Sequence, residues 1–164
     1  VKKFRFVVGD LSGIQSTLFL LASQRVKGVN KVLRARSFLM GMLTEGAALE
    51  CRLRLGLPVF SLLQNAGGRF LVLVGAGERV AEKVEELRVE TERWMRDRYW
   101  GELTLNLAVT EPFSGEDFMR QNFGWVLGEL TRAVEEAKQR ALRTCLEALH
   151  AHLRAHYESV FKFC

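Results

Sequence analysis

Apolar residues recur at every second position in some segments of the chain and at every third or fourth in others, and the two periods predict its elements. Phe4, Phe6 and Val8 alternate with Lys3, Arg5 and Val7, which predicts a first strand. Ile14, Leu18 and Leu21 then fall at helical spacing, with Asp10 or Ser12 placed to cap that helix. The polar stretch Ser23 to Lys31 predicts a loop. From Val32 to Leu55 the positions Leu33, Phe38, Met42, Leu43, Leu49 and Leu53 predict a long helix ended by Gly56 and Pro58. Gly41 and Gly46 interrupt it at a cost of up to about 1 kcal/mol each, which suggests close packing on a sheet.

Val59 to Leu63 and Phe70 to Val74 predict an antiparallel hairpin across Gln64 to Arg69. Gly75 to Gly77 is a turn, and Glu78 to Tyr99 an amphipathic helix with Val80, Val84, Leu87 and Trp94 inward and the pair Glu92 and Arg96 outward. Glu102 to Thr110 alternates: Leu103, Leu105, Leu107 and Val109 form one side, and Glu102, Thr104, Asn106 and Thr110 a side expected to face water. Pro112 to Gly124 is a linker with Phe113, Phe118 and Phe123. Val126 to Leu153 is a last helix with a stripe of Leu127, Leu130, Val134, Ala137, Ala141 and Cys145. The order strand, helices, strand, strand, helix, strand, helix predicts an α+β fold: a ferredoxin-like palm, four antiparallel strands with helices on one face, plus a long C-terminal helix. Residues 1–118 are the expected palm. Residues 119–156 are a helical segment packing on it or leading from it, and 157–164 the start of a truncated following module.

The chain has 164 residues, enough for one core, and its formal net charge of +5 favours a polyanionic partner. No Asp or Glu occurs from Leu11 to Thr44, while Arg25, Lys27, Lys31, Arg34 and Arg36 all do, so this segment is an expected electropositive patch. Cys51, Cys145 and Cys164 are odd in number and far apart, which points to a reducing, cytoplasmic setting. No apolar run is long enough to span a bilayer and no signal-peptide plan opens the chain, so neither membrane insertion nor secretion is expected.

The candidate chemistry lies at two turns. In Val7 to Gln15 (VVGDLSGIQ) an apolar strand meets a carboxylate, a hydroxyl, a glycine and then a helix, whose free N–H groups attract anions, nucleotide phosphates above all. Asn65 to Arg69 (NAGGR) is a second glycine turn, and the predicted topology places the two together at one sheet edge. His152 and His156 share a helix face, with Cys164 beyond, but no further ligand completes a zinc set, and histidines near a helix C-terminus suit its dipole. No Cys–His or Ser–His–Asp spacing points to hydrolysis.

Three motifs in order, GDLSGIQ (Gly9 to Gln15), VLRARSFLMGML (Val32 to Leu43) and NAGGRFLVLV (Asn65 to Val74), resemble the first palm domain of the large subunit of type III-A CRISPR effector complexes. The resemblance covers most of the chain. It implies two palms related to GGDEF-type cyclases that face each other and bind ATP between them, the active one making cyclic oligoadenylate when the complex holds target RNA. On this resemblance Asp10 stands where a strand carboxylate can hold Mg or Mn, Leu11, Ser12, Gly13, Ile14 and Gln15 surround the triphosphate, and Gly67 and Gly68 match the paired glycines. Arg69 and Phe70 replace the acidic residues of the catalytic version, so two-metal activation lacks a ligand set and no catalytic residue is expected here. Arg69 would instead neutralise a phosphate. This palm would bind one ATP and present it to a GGDD-bearing palm. Implied partners are that second palm, other type III CRISPR subunits and the crRNA–target RNA complex; zinc would enter only with a module after Cys164. Lys31, Arg34 and Arg36 would contact phosphate, RNA or other subunits. Two alternatives stay open: an RNA- or subunit-docking module using residues 25–36 without nucleotide, and a self-sufficient cyclase, against which Arg69 speaks.

Overall fold

A computed structural model describes residues 2–22, 28–148 and 150. Expectations for Arg25, Lys27, His152, His156, Cys164 and the segment 157–164 lie outside the described residues. The elements are β1 (Phe4–Ser12), α1 (Ile14–Ala22), α2 (Val29–Leu55), β2 (Leu62–Ala66), β3 (Arg69–Gly75), α3 (Val80–Tyr99), β4 (Thr104–Val109) and α4 (Phe123–Gln139). The sheet order is β2-β3-β1-β4 and every pairing is antiparallel, the ferredoxin-like arrangement.

Strand alternation sends side chains to two differently covered faces. Val7, Leu11, Phe70, Val72, Leu105 and Leu107 join Met40, Ala48 and Cys51 of α2 and Val84, Leu87 and Met95 of α3 in the main core. Phe6, Val8 and Ala108 point the other way, against Val126, Leu130, Ala133 and Val134 of α4. The C-terminal helix is therefore the second cover of the sheet.

β1 runs four residues past its expected end because β3 and β4 both extend to meet it: Asp10 faces Arg69 on one side and Asn106 on the other. Asp10 and Ser12 are strand residues, not turn residues, and neither caps α1. Gly13 occupies that position, its carbonyl accepting from the Thr17 N–H at 3.1 Å. β2 begins later than expected, Val59–Ser61 forming a 3-10 turn, so the hairpin closes on Gly67 and Gly68 alone. Both have positive φ, 63° and 83°, as a tight twisted hairpin turn requires.

The sequence periodicity misplaced several faces. The inner stripe of α2 is Met40, Thr44, Ala48 and Cys51; Phe38, Met42, Leu49 and Leu53 are exposed, Phe38 by 71%. Gly41 and Gly46 lie outside too, with no atom within 4 Å of where a Cβ would stand, so they do not serve sheet packing. Trp94 is partly exposed beneath the Arg98 guanidinium, and Met95 takes the inward place. Glu92 is buried, paired with Arg88 and accepting the Cys145 N–H, while Arg96 pairs with Asp97. The stretch from Pro112 is no linker: Phe113 is buried against Phe4 and Phe6, and Phe118 and Phe123 continue the aromatic cluster. α4 stops at Gln139, Leu142 has φ 62°, and helix resumes at residue 143. Within α4 the inward residue is Val126, not Leu127.

Candidate functional site

The two glycine turns meet at the sheet end that carries the start of α1. The Leu11 N–H donates to the Gly68 carbonyl at 2.8 Å, so the strand after Asp10 and the diglycine bend are hydrogen-bonded neighbours. A Cβ on Gly68 would stand 2.3 Å from Ile14 Cδ1: the bend is held against the first residue of α1. Gly13, at φ 90°, turns the chain where a side chain would strike the Glu102 carbonyl. The first N–H groups of α1 therefore leave the sheet edge directly beside the bend.

The individual residues divide by face. Leu11 is buried and Ile14 half-buried against the main core, so these two offer a ligand backbone rather than side chain. Gln15 and Gly67 are exposed, and a Cβ at Gly67 would meet nothing within 4 Å. Between the bend and the outer side of α2 lies a cleft of about 260 Å³, lined by Phe38, Gly41, Met42, Glu45, Asn65 and Gly67 among others. Phe38, Gly41 and Glu45 were absent from the sequence-derived site, and Asn65 entered it only as the first residue of the second glycine turn. Gly41 was the available signal, since a mid-helix glycine facing outward leaves room that a side chain would fill.

On the opposite face, under α4, the polar residues satisfy one another. Asp10 accepts from Arg69 Nε at 2.8 Å through Oδ1, and Lys138 Nζ of α4 lies 3.3 Å from Oδ2. Asn106 Nδ2 donates to Ser12 Oγ at 2.9 Å and to the Asp10 carbonyl at 3.1 Å. Of the polar side of β4, Asn106 is thus covered by α4 and Thr110 is buried too, its Oγ1 accepting the Phe6 N–H at 2.9 Å, whereas Thr104 is half-buried and Glu102 faces water as expected. Arg69 gives its Nε to Asp10 on the α4 face and is not among the residues that line the cleft, while its side chain stays 41% exposed. Phe70 is fully buried, its ring directly below Gly9, so no carboxylate stands opposite Asp10. The hydrogen bond to Glu135 raises the Lys138 pKa above the ordinary lysine value against the opposing effect of burial, and the nearby Asp10 adds to the rise.

A divalent cation fits this arrangement poorly. It would need Asp10 oxygens already shared by two cations, and two like unit charges about 4 Å apart repel by roughly 4 kcal/mol at the effective dielectric of a protein surface, a divalent ion by about twice that. No group of three or more His, Cys, Asp or Glu able to hold a metal occurs among the described residues.

Of the basic candidates, Lys31 and Arg34 are exposed on the first turns of α2, whereas Arg36 Nη1 donates to the Thr17 carbonyl at 2.6 Å and ties α2 to α1. A larger groove of about 670 Å³ runs between α3, β4 and α4. Three of its four guanidiniums are paired, Arg88 with Glu85 and Glu92, Arg132 with Glu129 and Glu136, and Arg143 with Glu147, while exposed Arg140 has no salt bridge among the described residues. No helix among the described residues is long and apolar enough to cross a membrane.

Residues 3–155 match the family model described as Csm1 subunit domain B. The chain is 32% identical over 120 residues to the type III-A CRISPR system single-strand-specific deoxyribonuclease Cas10/Csm1 of Thermococcus onnurineus (strain NA1), a match covering 73% of this chain and 15% of that protein. It is similar to the crystal structure of an apo Csm1–Csm4 cassette, with TM-score 0.75 and 29% identity over 86% of this chain and 19% of that one. It is also similar to the Csm1–Csm4 cassette in complex with one ATP, with TM-score 0.73 and 30% identity over 85% of this chain and 19% of that one. The chain thus spans less than a fifth of the Thermococcus relative and about a fifth of these structures.

Proposed function

The chain belongs to the Csm1 subunit domain B family, and we propose that it is the non-catalytic palm of a type III-A effector subunit, binding one ATP against a second, GGDD-bearing palm. In this reading the second palm makes cyclic oligoadenylate and the present one holds a nucleotide for it. The observation that carries the reading is the cleft beside the diglycine bend, adjoining the start of α1.

The chemistry of the lining suggests how the nucleotide lies. Asn65 and Glu45 suit an adenine edge, since an amide can pair with N6 and N7 and a carboxylate can accept from the exocyclic amine. Phe38 and Met42 offer apolar area to the base. A carboxylate repels phosphate, so the triphosphate runs away from Glu45 to the α1 N–H groups of Ile14, Gln15 and Ser16, with Lys31 and Arg34 as further phosphate or RNA contacts. At about 260 Å³ the cleft is slightly smaller than a typical ligand pocket of roughly 300–1,000 Å³. Exposed Phe38 and Met42 at its rim are apolar surface that an opposing palm would cover. The ATP-bound Csm1–Csm4 cassette supports the same reading by relationship.

The test is ATP binding by the full-length protein with its second palm's nucleotide site inactivated. Gly41→Leu places a side chain at the cleft, where a Cβ at this position meets no atom within 4 Å. It is expected to weaken ATP about tenfold, the equivalent of about 1.4 kcal/mol, while leaving the melting temperature unchanged or raised. Unaltered affinity in a folded Gly41→Leu protein would remove the cleft from the site.

A further inference from the structure

Asp10 is the residue to which the family resemblance assigned a divalent cation, and its surroundings on the α4 face are built for a different purpose. The carboxylate is only 16% exposed, and each oxygen already has a positive partner: Oδ1 has Arg69 Nε at 2.8 Å and Oδ2 has Lys138 Nζ at 3.3 Å. These partners come from opposite directions. Arg69 is the cross-strand neighbour of Asp10 in β3, and Lys138 reaches down from the last turn of α4. Lys138 is itself oriented by Glu135 one turn earlier, whose Oε1 accepts from its Nζ at 3.0 Å. The remaining polar neighbours, Ser12 and Asn106, are bonded to each other, and Asn106 also donates to the Asp10 carbonyl. No group of three or more His, Cys, Asp or Glu able to hold a metal occurs here among the described residues, and the one carboxylate that Mg or Mn would use is already engaged by two cations.

We infer that Arg69 and Lys138 are internal replacements for metal at this position, so that the loop from Asp10 into α1 is held in place without a divalent cation. Lys138 is accordingly a positioning residue. It couples the C-terminal helix to the strand end that carries the candidate nucleotide loop, and a displaced α4 would release Asp10. The inference goes beyond the ATP reading and does not depend on it, because it concerns which charge neutralises Asp10 in the free protein.

Manganese chloride added to the 15N-labelled full chain, without nucleotide, tests it through paramagnetic broadening of the Gly9, Leu11, Arg69 and Asn106 amides. The wild-type protein is expected to show no broadening there that Asp10→Asn abolishes. The double variant Arg69→Gln/Lys138→Met frees the carboxylate and is expected to gain such broadening at manganese concentrations at least tenfold below any that affects these amides in the wild type, and Asp10→Asn in the same background removes it. Lys138→Met alone, a change at a partly exposed helix position, is expected to give a partial gain and serves if the double variant fails to fold. Broadening in the wild-type protein that depends on Asp10 overturns the inference, as does a folded variant that gains none. A purely structural role for the two cations would lower the melting temperature of the variants without conferring manganese sensitivity, and that result also overturns it. A failure of ATP to bind at the α2 cleft leaves each of these readouts unchanged, so the two readings fail separately.

Discussion

The two faces of the sheet come from the same strands by the same alternation, yet they end differently. Facing α2 and α3, the side chains stay apolar to the sheet end: Val7, Leu11, Phe70 and Leu105 lead up to the bend, and Ile14 closes against Gly68. Facing α4, the aromatic cluster around Phe6 and Phe113 gives way to Asp10, Ser12, Arg69 and Asn106, which are bonded to one another and to Lys138. Beside the apolar margin a cleft opens between the outer side of α2 and the diglycine bend, whereas on the polar margin both Asp10 oxygens, Ser12 and Asn106 already have partners within the chain. Binding is therefore assigned to the α2 side and bracing to the α4 side.

The largest expected effect comes from the apolar margin. Phe70→Ala removes a fully buried ring from an inner strand of the sheet and should cost about 3–5 kcal/mol, measured by urea unfolding. A loss below about 1 kcal/mol would mean that this face is not the main core. On the polar margin, Asn106→Leu leaves the Ser12 hydroxyl and the Asp10 carbonyl without their donor and should cost about 1–3 kcal/mol in the same assay. A neutral Asn106→Leu would break the claim that this face is a satisfied network.

Much of the architecture was legible because alternation and helical spacing reflect burial directly. The four strands, the hairpin at Gly67 and Gly68 and the antiparallel palm follow from such patterns. What was not legible depended on partners distant in sequence. Asp10 reads as a turn residue until Arg69 and Asn106 are known to flank it, residues 59 and 96 positions away. Asn106 reads as solvent-facing until α4 is known to cover β4. The inner face of α2 was misjudged because its sheet contacts use small or polar residues, Thr44, Ala48 and Cys51, and leave larger apolar side chains outside. Gly41 lay inside a quoted motif, but only its outward position shows the space it creates. The charge deletion from Leu11 to Thr44 was visible, although Arg36 is used internally.

The smallest effect concerns acid. The Glu129 carboxyl is held below its ordinary value of 4.5, first by its hydrogen bond from Arg132, then by the Glu111 N–H, against the opposing effect of burial. A lowered folded value means stability that is present above pH 4.5 and is lost as pH falls below it. Glu129→Gln should therefore flatten the acid limb of the stability profile by a few tenths of a kcal/mol, the usual scale for an ion pair whose arginine is half exposed. An unchanged acid limb would show that this strap from α4 to the end of β4 adds nothing to the polar face.

The most direct test of the assignment of binding to one face is photolabelling of the full-length protein, its second palm's site inactivated, with an azide-bearing ATP analogue substituted on the adenine ring. The account predicts label on the outer side of α2 from Phe38 to Glu45 and on the hairpin around Asn65 to Gly68, competed by ATP. Competed label on α4 or on the polar side of β4, with none on α2, would contradict it.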